Sequence, residues 1–298
     1  MLKSKFISQM ICVVIYAISF YLSYILLPES ISNIWFKVIV WHLYATVFIY
    51  FGSFFLNNSS LYDPFWSIAP VPIVIYLTFS FDNSIELIVL VFSPILIWAT
   101  RLTRNWIISW QGFDHEDFRY VDLKNTSKIK SEINNFFGIH LIPTLLVNFG
   151  LYPLLYISTK QVEVNTYLYF ASIFTILAVT LETISDEQMR EFRSDINNHG
   201  KTMKYKLWKY SRHPNYLGEV LFWYGIYFMG LSSGLMPLWT ILCPTLMLAL
   251  FIFISCPMMD KRSLNNRADY QEYMDKTSQL LLLPPKSEIG IIKSRNVE

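Results

Sequence analysis

Long apolar stretches separated by short polar ones run the length of the chain. Eight of them approach the roughly 20 residues that a membrane-spanning helix needs. They lie at about 6–27, 34–56, 66–80, 85–108, 136–158, 165–184, 215–232 and 235–257. The third is short and is broken by Pro70 and Pro72. The first follows only Lys3 and Lys5 and continues without a small-residue cleavage site, so it reads as a retained helix rather than a signal peptide. The pattern predicts an all-α integral membrane protein of about seven to eight transmembrane helices.

Composition supports this. Of 298 residues, 53% are hydrophobic, 17% aromatic and only 15% charged, which does not suit a soluble globular chain. Loop charges then orient the spans, because short loops rich in Lys and Arg stay cytoplasmic. Arg101, Arg104, Arg119, Lys124, Lys128 and Lys130 fall on one side, as do the bases of 190–212 and Lys261, Arg262 and Arg267; the opposite side offers Lys37 and Lys160. Both termini are therefore expected in the cytoplasm, with the polar motifs gathered at one membrane face. Residues 1–60 read as N-terminal transmembrane helices, 61–285 as the membrane domain that carries those motifs and 286–298 as a disordered tail.

A net charge of +2, spread over loops, gives no reason to expect nucleic acid. Cys12, Cys243 and Cys256 fall in apolar stretches and read as core residues, so neither a disulfide nor a metal site is expected. The chain has no GxGxxG, Walker loop, HExxH or CxxC.

The candidate chemistry centres on Ser211-Arg-His-Pro-Asn-Tyr-Leu-Gly-Glu219. Pro214 forces His213 into extended backbone and suits the first turn of a helix running into Val220-Leu-Phe-Trp223. Free amides, the positive end of the helix and Arg212 with His213 would make an anion site, for a phosphate or carboxylate; a lipid headgroup is the alternative partner. Asp63, in Tyr62-Asp-Pro-Phe-Trp-Ser67, reads either as a helix cap or as a pocket carboxylate whose buried form could donate a proton. Trp98, Arg101 and Asn105 share a helix face, with Arg104 beside them, for a ligand or for snorkelling to headgroups. The loop Trp110–Tyr120, with Glu116, Asp117 and Arg119, suits hydrogen bonding to a sugar or an adenine edge. Residues 121–134 read as a solvated linker. Glu182, Asp186, Arg190 and Arg193 are spaced four, four and three apart, one polar stripe continuing an apolar helix; it is either an ion-pair ladder or functional, Glu182 being at membrane depth. A tail holding Asp260, Lys261, Arg262, Arg267, Tyr270 and Tyr273 could close over the site.

Together, Asp63-Pro-Phe-Trp-Ser, Arg101-x-x-Arg-Asn, Gly112-Phe-x-x-Glu-Asp-x-Arg-Tyr, Asp186-x-Gln, the Ser211–Glu219 segment and the Tyr270/Tyr273 tail resemble membrane proteins related to the steroid 5-alpha-reductases and sterol reductases. The likeness covers about 60–285. It implies NADPH-dependent reduction of a carbon–carbon double bond in a lipid or steroid-like enone or sterol. It also implies cofactor contacts from Asp186 and Arg193, from Asn215 and Glu219, and from Arg101. Arg104, Asn105, Asp117, Arg119, Arg212, His213, Arg262 and Tyr273 complete the expected cofactor set. Where the reductases grip the substrate carbonyl with a Glu and a Tyr, this chain offers Asp63 and Trp98. Trp98 has no acidic hydroxyl, so Tyr62, Tyr120 or Tyr216 joins Asp63 among the expected acids. Hydride chemistry belongs to the cofactor; the protein needs cations for its phosphates, an apolar slot and one proton donor.

The expected partners are a bilayer substrate and membrane lipids, in an endoplasmic reticulum membrane for a eukaryotic chain or an inner membrane for a bacterial one. The runner-up is an S-adenosylmethionine-dependent lipid or isoprenylcysteine methyltransferase, which shares the His-Pro-x-Tyr fragment. Against it, those enzymes carry a paired-Glu segment where this chain has Asp260. A noncatalytic lipid-binding protein is the third reading, weakened by the cost of polar groups at membrane depth.

Overall fold

The computed structural model describes residues 4–160 and 162–286, and these are mostly helical, with no strand among them beyond one isolated bridge between Ser211 and Ser278. The tail expected over 286–298 lies almost entirely outside the described residues. In chain order the helices are α1 Lys5–Ile25, α2 Ile34–Leu56, α3 Phe65–Ile68, α4 Pro70–Phe79, α5 Ile85–Ser109, α6 Phe118–Lys124 and α7 Lys128–Ile133. A π-helical stretch, Asn134–Leu141, leads into α8 Ile142–Leu151 and α9 Pro153–Ser158. Then come α10 Thr166–Ser194, α11 Pro214–Leu231, α12 Leu242–Leu250, a second π-helical stretch Phe251–Ser255, α13 Cys256–Asn266 and α14 Tyr270–Lys276.

Among the described residues, six helical stretches are long and apolar enough to cross a membrane: Lys5–Ile25, Ile34–Leu56, Ile85–Ser109, Lys128–Ser158, Thr166–Ser194 and Leu238–Asn266. The chain is a multi-pass membrane protein. Two of the eight expected spans fall outside this set. The third is divided at Ala69 because Pro70 and Pro72 cannot donate to the helix ladder. Its longer piece has 10 residues, about half the hydrocarbon thickness at roughly 1.5 Å per residue. The seventh, Pro214–Leu231, is a helix of 18 residues as expected, but Asn215 and Glu219 in its first turns dilute its apolarity. Residues 121–134, expected as linker, are largely helical: the end of α6 and all of α7 lie there, exposed at most positions.

Local chemistry sets several boundaries. Asn33 caps α2 by accepting from the Phe36 amide at 2.9 Å, and Ser84 caps α5 by accepting from Leu87 at 3.2 Å. Helix α2 ends on Asn57 in the left-handed conformation, φ 51°, which satisfies its last carbonyls.

The chain divides into two compact units. One comprises the described residues of 1–165 with 229–243, the other those of 166–228 with 244–298. In the first, Tyr16, Ile49, Leu61 and Phe65 are core residues, and the Tyr16 hydroxyl donates to the Leu61 carbonyl at 2.5 Å. Phe6, Val13, Val14, Ile18 and Tyr21 of α1 stay exposed, as a lipid-facing surface permits. In the second, α10 and α11 approach closely through two glycines of α11. A Cβ on Gly218 would lie 2.8 Å from the Glu182 amide nitrogen, and one on Gly225 would lie 2.1 Å from Thr175 Oγ1. Small residues let two backbones meet this closely in a membrane, where packing replaces the hydrophobic drive.

Candidate functional site

In the first unit, the loop before α6 folds back on the 3₁₀ turn Ser59–Tyr62. The Asp117 amide donates to Ser60 Oγ at 2.8 Å, the Ser59 amide donates to Glu116 Oε1 at 2.6 Å, and Lys124 Nζ holds the same oxygen at 2.5 Å. Asp117 caps α6 by accepting from the Arg119 amide at 2.9 Å, and its two oxygens take Arg119 Nε and Nη2 at 2.8 and 3.1 Å. Asp117 and Arg119 are thus committed to each other. Tyr120, one residue on, donates its hydroxyl to Asp63 Oδ1 at 2.5 Å, and Arg119 Nη2 stands 3.7 Å from that oxygen. Three of the expected residues, Asp63, Arg119 and Tyr120, therefore form one group. Tyr62 points elsewhere: it is buried, with its hydroxyl 2.8 Å from Thr144 Oγ1.

Burial pushes the Asp63 carboxyl up to about 6; Arg119 opposes this, Asp117 adds to it, and hydrogen bonds from Tyr120 and Ser60 oppose it. Burial, with the Asp63 charge beside it, also holds the Tyr120 phenol well above its ordinary range. Tyr120 therefore remains a donor at neutral pH while Asp63 titrates close to it. Because the folded carboxyl binds its proton more tightly than the unfolded one, its contribution to stability is complete below the ordinary value of 3.8 and is lost as pH rises to about 6. Thermal unfolding followed from pH 4 to 7 is expected to show that decline in the wild type and to lose it in Asp63→Asn.

Further along the same unit, Trp98 and Arg101 of α5 are buried, Asn105 is half-buried and Arg104 is exposed. Trp98 meets Trp66 edge-on, with ring centroids 6.0 Å apart.

In the second unit, α11 begins at Pro214 and its preceding bases find an anion within the protein. Asp260 of α13 takes Arg212 Nη2 on Oδ2 at 2.9 Å, and on Oδ1 it takes His213 Nε2 at 2.9 Å and the Tyr270 hydroxyl at 2.6 Å. Arg212 Nη1 also donates to the carbonyls of Met274 and Thr277, at 3.2 and 3.0 Å. The tail is strapped down: Tyr273 donates to the Trp208 and Ser211 carbonyls, Ser211 Oγ donates to Leu280 O at 2.7 Å, and the Arg212 amide donates to Ser278 O at 2.9 Å. Arg212, His213 and Tyr273 thus fasten the segment before α11 to the tail.

A second group lies on the facing sides of α10 and α11. Asn215 Nδ2 donates to Asp186 Oδ1 at 3.0 Å, while the buried Asn215 Oδ1 has no hydrogen-bond partner among the described residues. Arg193 lies within electrostatic reach of Arg267 and Arg262, and of Asp186 and Tyr216. The Tyr216 ring stacks on His213, with centroids 5.3 Å apart at 11°. Glu219 is buried and accepts from Trp223 Nε1 at 2.8 Å. Along the α10 stripe, Arg190 pairs with Glu187 at 2.6 Å.

Residues 48–277 match a family described as "Protein of unknown function (DUF1295)". That stretch is most of the chain and contains every candidate site residue from Asp63 to Tyr273. The chain belongs to this family. It is also similar to an uncharacterised protein of Schizosaccharomyces pombe, with 24% identity over 255 residues that cover 76% of this chain and 73% of that protein. No solved structure matches the chain.

Sequence reasoning underrates Asp260, which reads as a tail acid, although an acid four residues after an apolar span's Cys256 is a visible signal. It passes over Asn135, His140, Thr144 and Asn148, which follow one another at near-helical spacing inside an apolar stretch and are all buried.

Proposed function

We propose that the chain is a membrane-embedded reductase that uses NADPH to saturate a carbon–carbon double bond of a lipid or steroid-like enone or sterol. The observation that carries this reading is the meeting of Asp186 with Asn215 beside Arg193, Arg262 and Arg267. Asp186, Arg193 and Asn215 are positions at which the reductase resemblance calls for cofactor contacts, and they combine a buried unused acceptor, Asn215 Oδ1, with the guanidinium of Arg193 and the positive charge of Arg262 and Arg267 within its electrostatic reach. A phosphate-bearing dinucleotide suits such a set: the guanidiniums would meet its phosphates, and the Asp186–Asn215 pair would meet its hydroxyl or amide groups. When bound, NADPH supplies the hydride.

Arg212 and His213 serve this site as scaffold, since their charge is answered by Asp260. In the first unit Tyr120 is the proposed proton donor. Its phenol stays protonated at neutral pH; when Asp63 is itself protonated it can donate to the phenol oxygen, which frees the Tyr120 hydrogen for the substrate and lets Asp63 return the proton, with Arg119 holding the carboxyl in place. Asn105, Arg101 and Arg104 are proposed cofactor contacts on the strength of the resemblance alone. The substrate would reach the enzyme from the bilayer and the dinucleotide from the cytoplasm, with the membrane that of the endoplasmic reticulum in a eukaryote or the inner membrane in a bacterium.

Arg193→Ala and Asn215→Ala are each expected to weaken NADPH binding by about tenfold or more, the loss of one charge-assisted or buried hydrogen bond. Titration calorimetry on detergent-purified protein reads this directly. Unchanged affinity in both variants would refute the assigned site.

A further inference from the structure

Within the first unit, α2 and the stretch from Lys128 to Phe137 enclose an open groove of about 640 Å³. Its size is that of small-molecule sites, roughly 300–1,000 Å³. The two stretches run antiparallel, since Ser53 Oγ lies 3.0 Å from His140 Nε2 while Thr46 Oγ1 lies 3.0 Å from Thr144 Oγ1. The end of α2 and the start of the Lys128–Ser158 span therefore lie at one membrane face. Lys128 opens that span, so the groove begins at the polar boundary and runs into the hydrocarbon.

Its walls are apolar. Val47 and Phe51 of α2 line one side, and Ile133, Phe136 and Phe137 line the other. Tyr50 meets Phe136 edge-on, with ring centroids 5.0 Å apart. Phe51, Ile133 and Phe137 are each about half exposed, which leaves the slot open to lipid.

The polar end carries two charges that do not answer each other. Lys128 and Glu132 both line the groove, four residues apart, yet no ion pair joins Lys128 to any carboxylate among the described residues. Glu132 Oε2 accepts from the Tyr50 hydroxyl at 3.0 Å and from Asn135 Nδ2 at 3.4 Å, while Oε1 has no hydrogen-bond partner among the described residues. One oxygen thus fixes the carboxylate to α2, and the other stays available. At the edge of the hydrocarbon an ionised carboxylate is costly unless a cation or donor meets it.

An occupant that satisfies this slot needs an apolar tail, an anionic group for Lys128 and a cationic N–H donor for Glu132. A phospholipid ending in a primary ammonium has all three. A choline headgroup has no N–H to give. Phosphatidylglycerol brings a net negative charge to Glu132, and a sterol alcohol offers nothing to Lys128. We propose that the groove binds one molecule of phosphatidylethanolamine, with its phosphate at Lys128 Nζ, its ammonium on Glu132 Oε1 and an acyl chain between Phe51 and Phe137. This inference is independent of the reductase reading.

Native mass spectrometry of the full chain tests it, with the detergent-purified protein titrated by phosphatidylethanolamine, phosphatidylcholine or phosphatidylglycerol of identical acyl chains. One phosphatidylethanolamine is expected to bind about tenfold more tightly than phosphatidylcholine, the contribution of one charge-assisted hydrogen bond. Glu132→Gln keeps an oxygen for Tyr50 and should bring these two lipids level. Lys128→Ala alters an exposed side chain and should weaken both by a similar factor, because they share the phosphate. Should Glu132→Gln not fold, the wild-type preference and its uniform weakening in Lys128→Ala carry the test. Equal binding of phosphatidylethanolamine and phosphatidylcholine by the wild type, tighter binding of phosphatidylglycerol, a preference that survives in Glu132→Gln, or unchanged affinity in Lys128→Ala would overturn the proposal.

Discussion

Asp260→Ala is expected to cost about 3–5 kcal/mol of stability, the penalty for removing one member of a buried ionic group and stranding the others. Its side chain is 6% exposed, as is nearly true of His213 at 7% and Arg212 at 11%, so solvent cannot take over its role. Three donors converge on this carboxylate: a guanidinium nitrogen, an imidazole nitrogen and the Tyr270 hydroxyl. Without it, Arg212 keeps only the Met274 and Thr277 carbonyls, and α14 loses its link to α13 through Tyr270. Heat denaturation should drop sharply, and limited proteolysis should open first around 270–283. Asp260→Asn keeps two hydrogen-bonding atoms and should fall between. A near-neutral Asp260→Ala would mean that the ionic group does not hold the tail.

Gly225→Leu should be comparably damaging by a different route. The first side-chain carbon alone would sit 2.1 Å from Thr175 Oγ1, 2.9 Å from its Cβ and 3.1 Å from its Cα. Thr175 cannot simply turn aside, because its hydroxyl donates to the Ala171 carbonyl at 2.7 Å. The helices must separate, and overpacking of this kind costs about 3 kcal/mol or more. Gly218, seven residues earlier, faces α10 in the same way, so the separation would reach the Asp186–Asn215 pair. Thr175→Ala should recover part of the loss in the double variant, since it removes the shortest approach and leaves the crowding against the α10 backbone and the remaining methyl. A Gly225→Leu protein that melts with the wild type would contradict the close approach of α10 and α11.

The helices were readable because their signals are local. Pro214 announces the start of α11, and the apolar run through α10 continues into a polar stripe at helical spacing, which gives one helix of 29 residues. Proline also decided what was misread: the short third stretch looks like a span by composition and is cut by Pro70 and Pro72. The site was legible as residue types and only partly as partners. Asn215 with Asp186 follows from motifs that the resemblance brings together, and Arg193 near the bases of α13 and beyond follows from the expectation that the tail lies over the site. Asp63 with Tyr120 did not, because 57 residues separate them and the loop that joins them is set by Ser59, Ser60, Glu116 and Asp117. Arg212 and His213 looked like an anion site because they are one; the anion is Asp260, 47 residues on from His213, and no local pattern connects them. The groove at Glu132 escaped because residues 121–134 read as a solvated linker, and the bond from Tyr50 that ties Glu132 to α2 spans 82 residues.

The central claim is that this chain binds a reducing dinucleotide. Equilibrium binding of NADPH, NADH and S-adenosylmethionine to the detergent-purified wild-type protein tests it most directly. The account predicts saturable binding of NADPH, tighter than NADH by the contribution of the extra phosphate to Arg193, Arg262 and Arg267. Binding of S-adenosylmethionine without NADPH would contradict it.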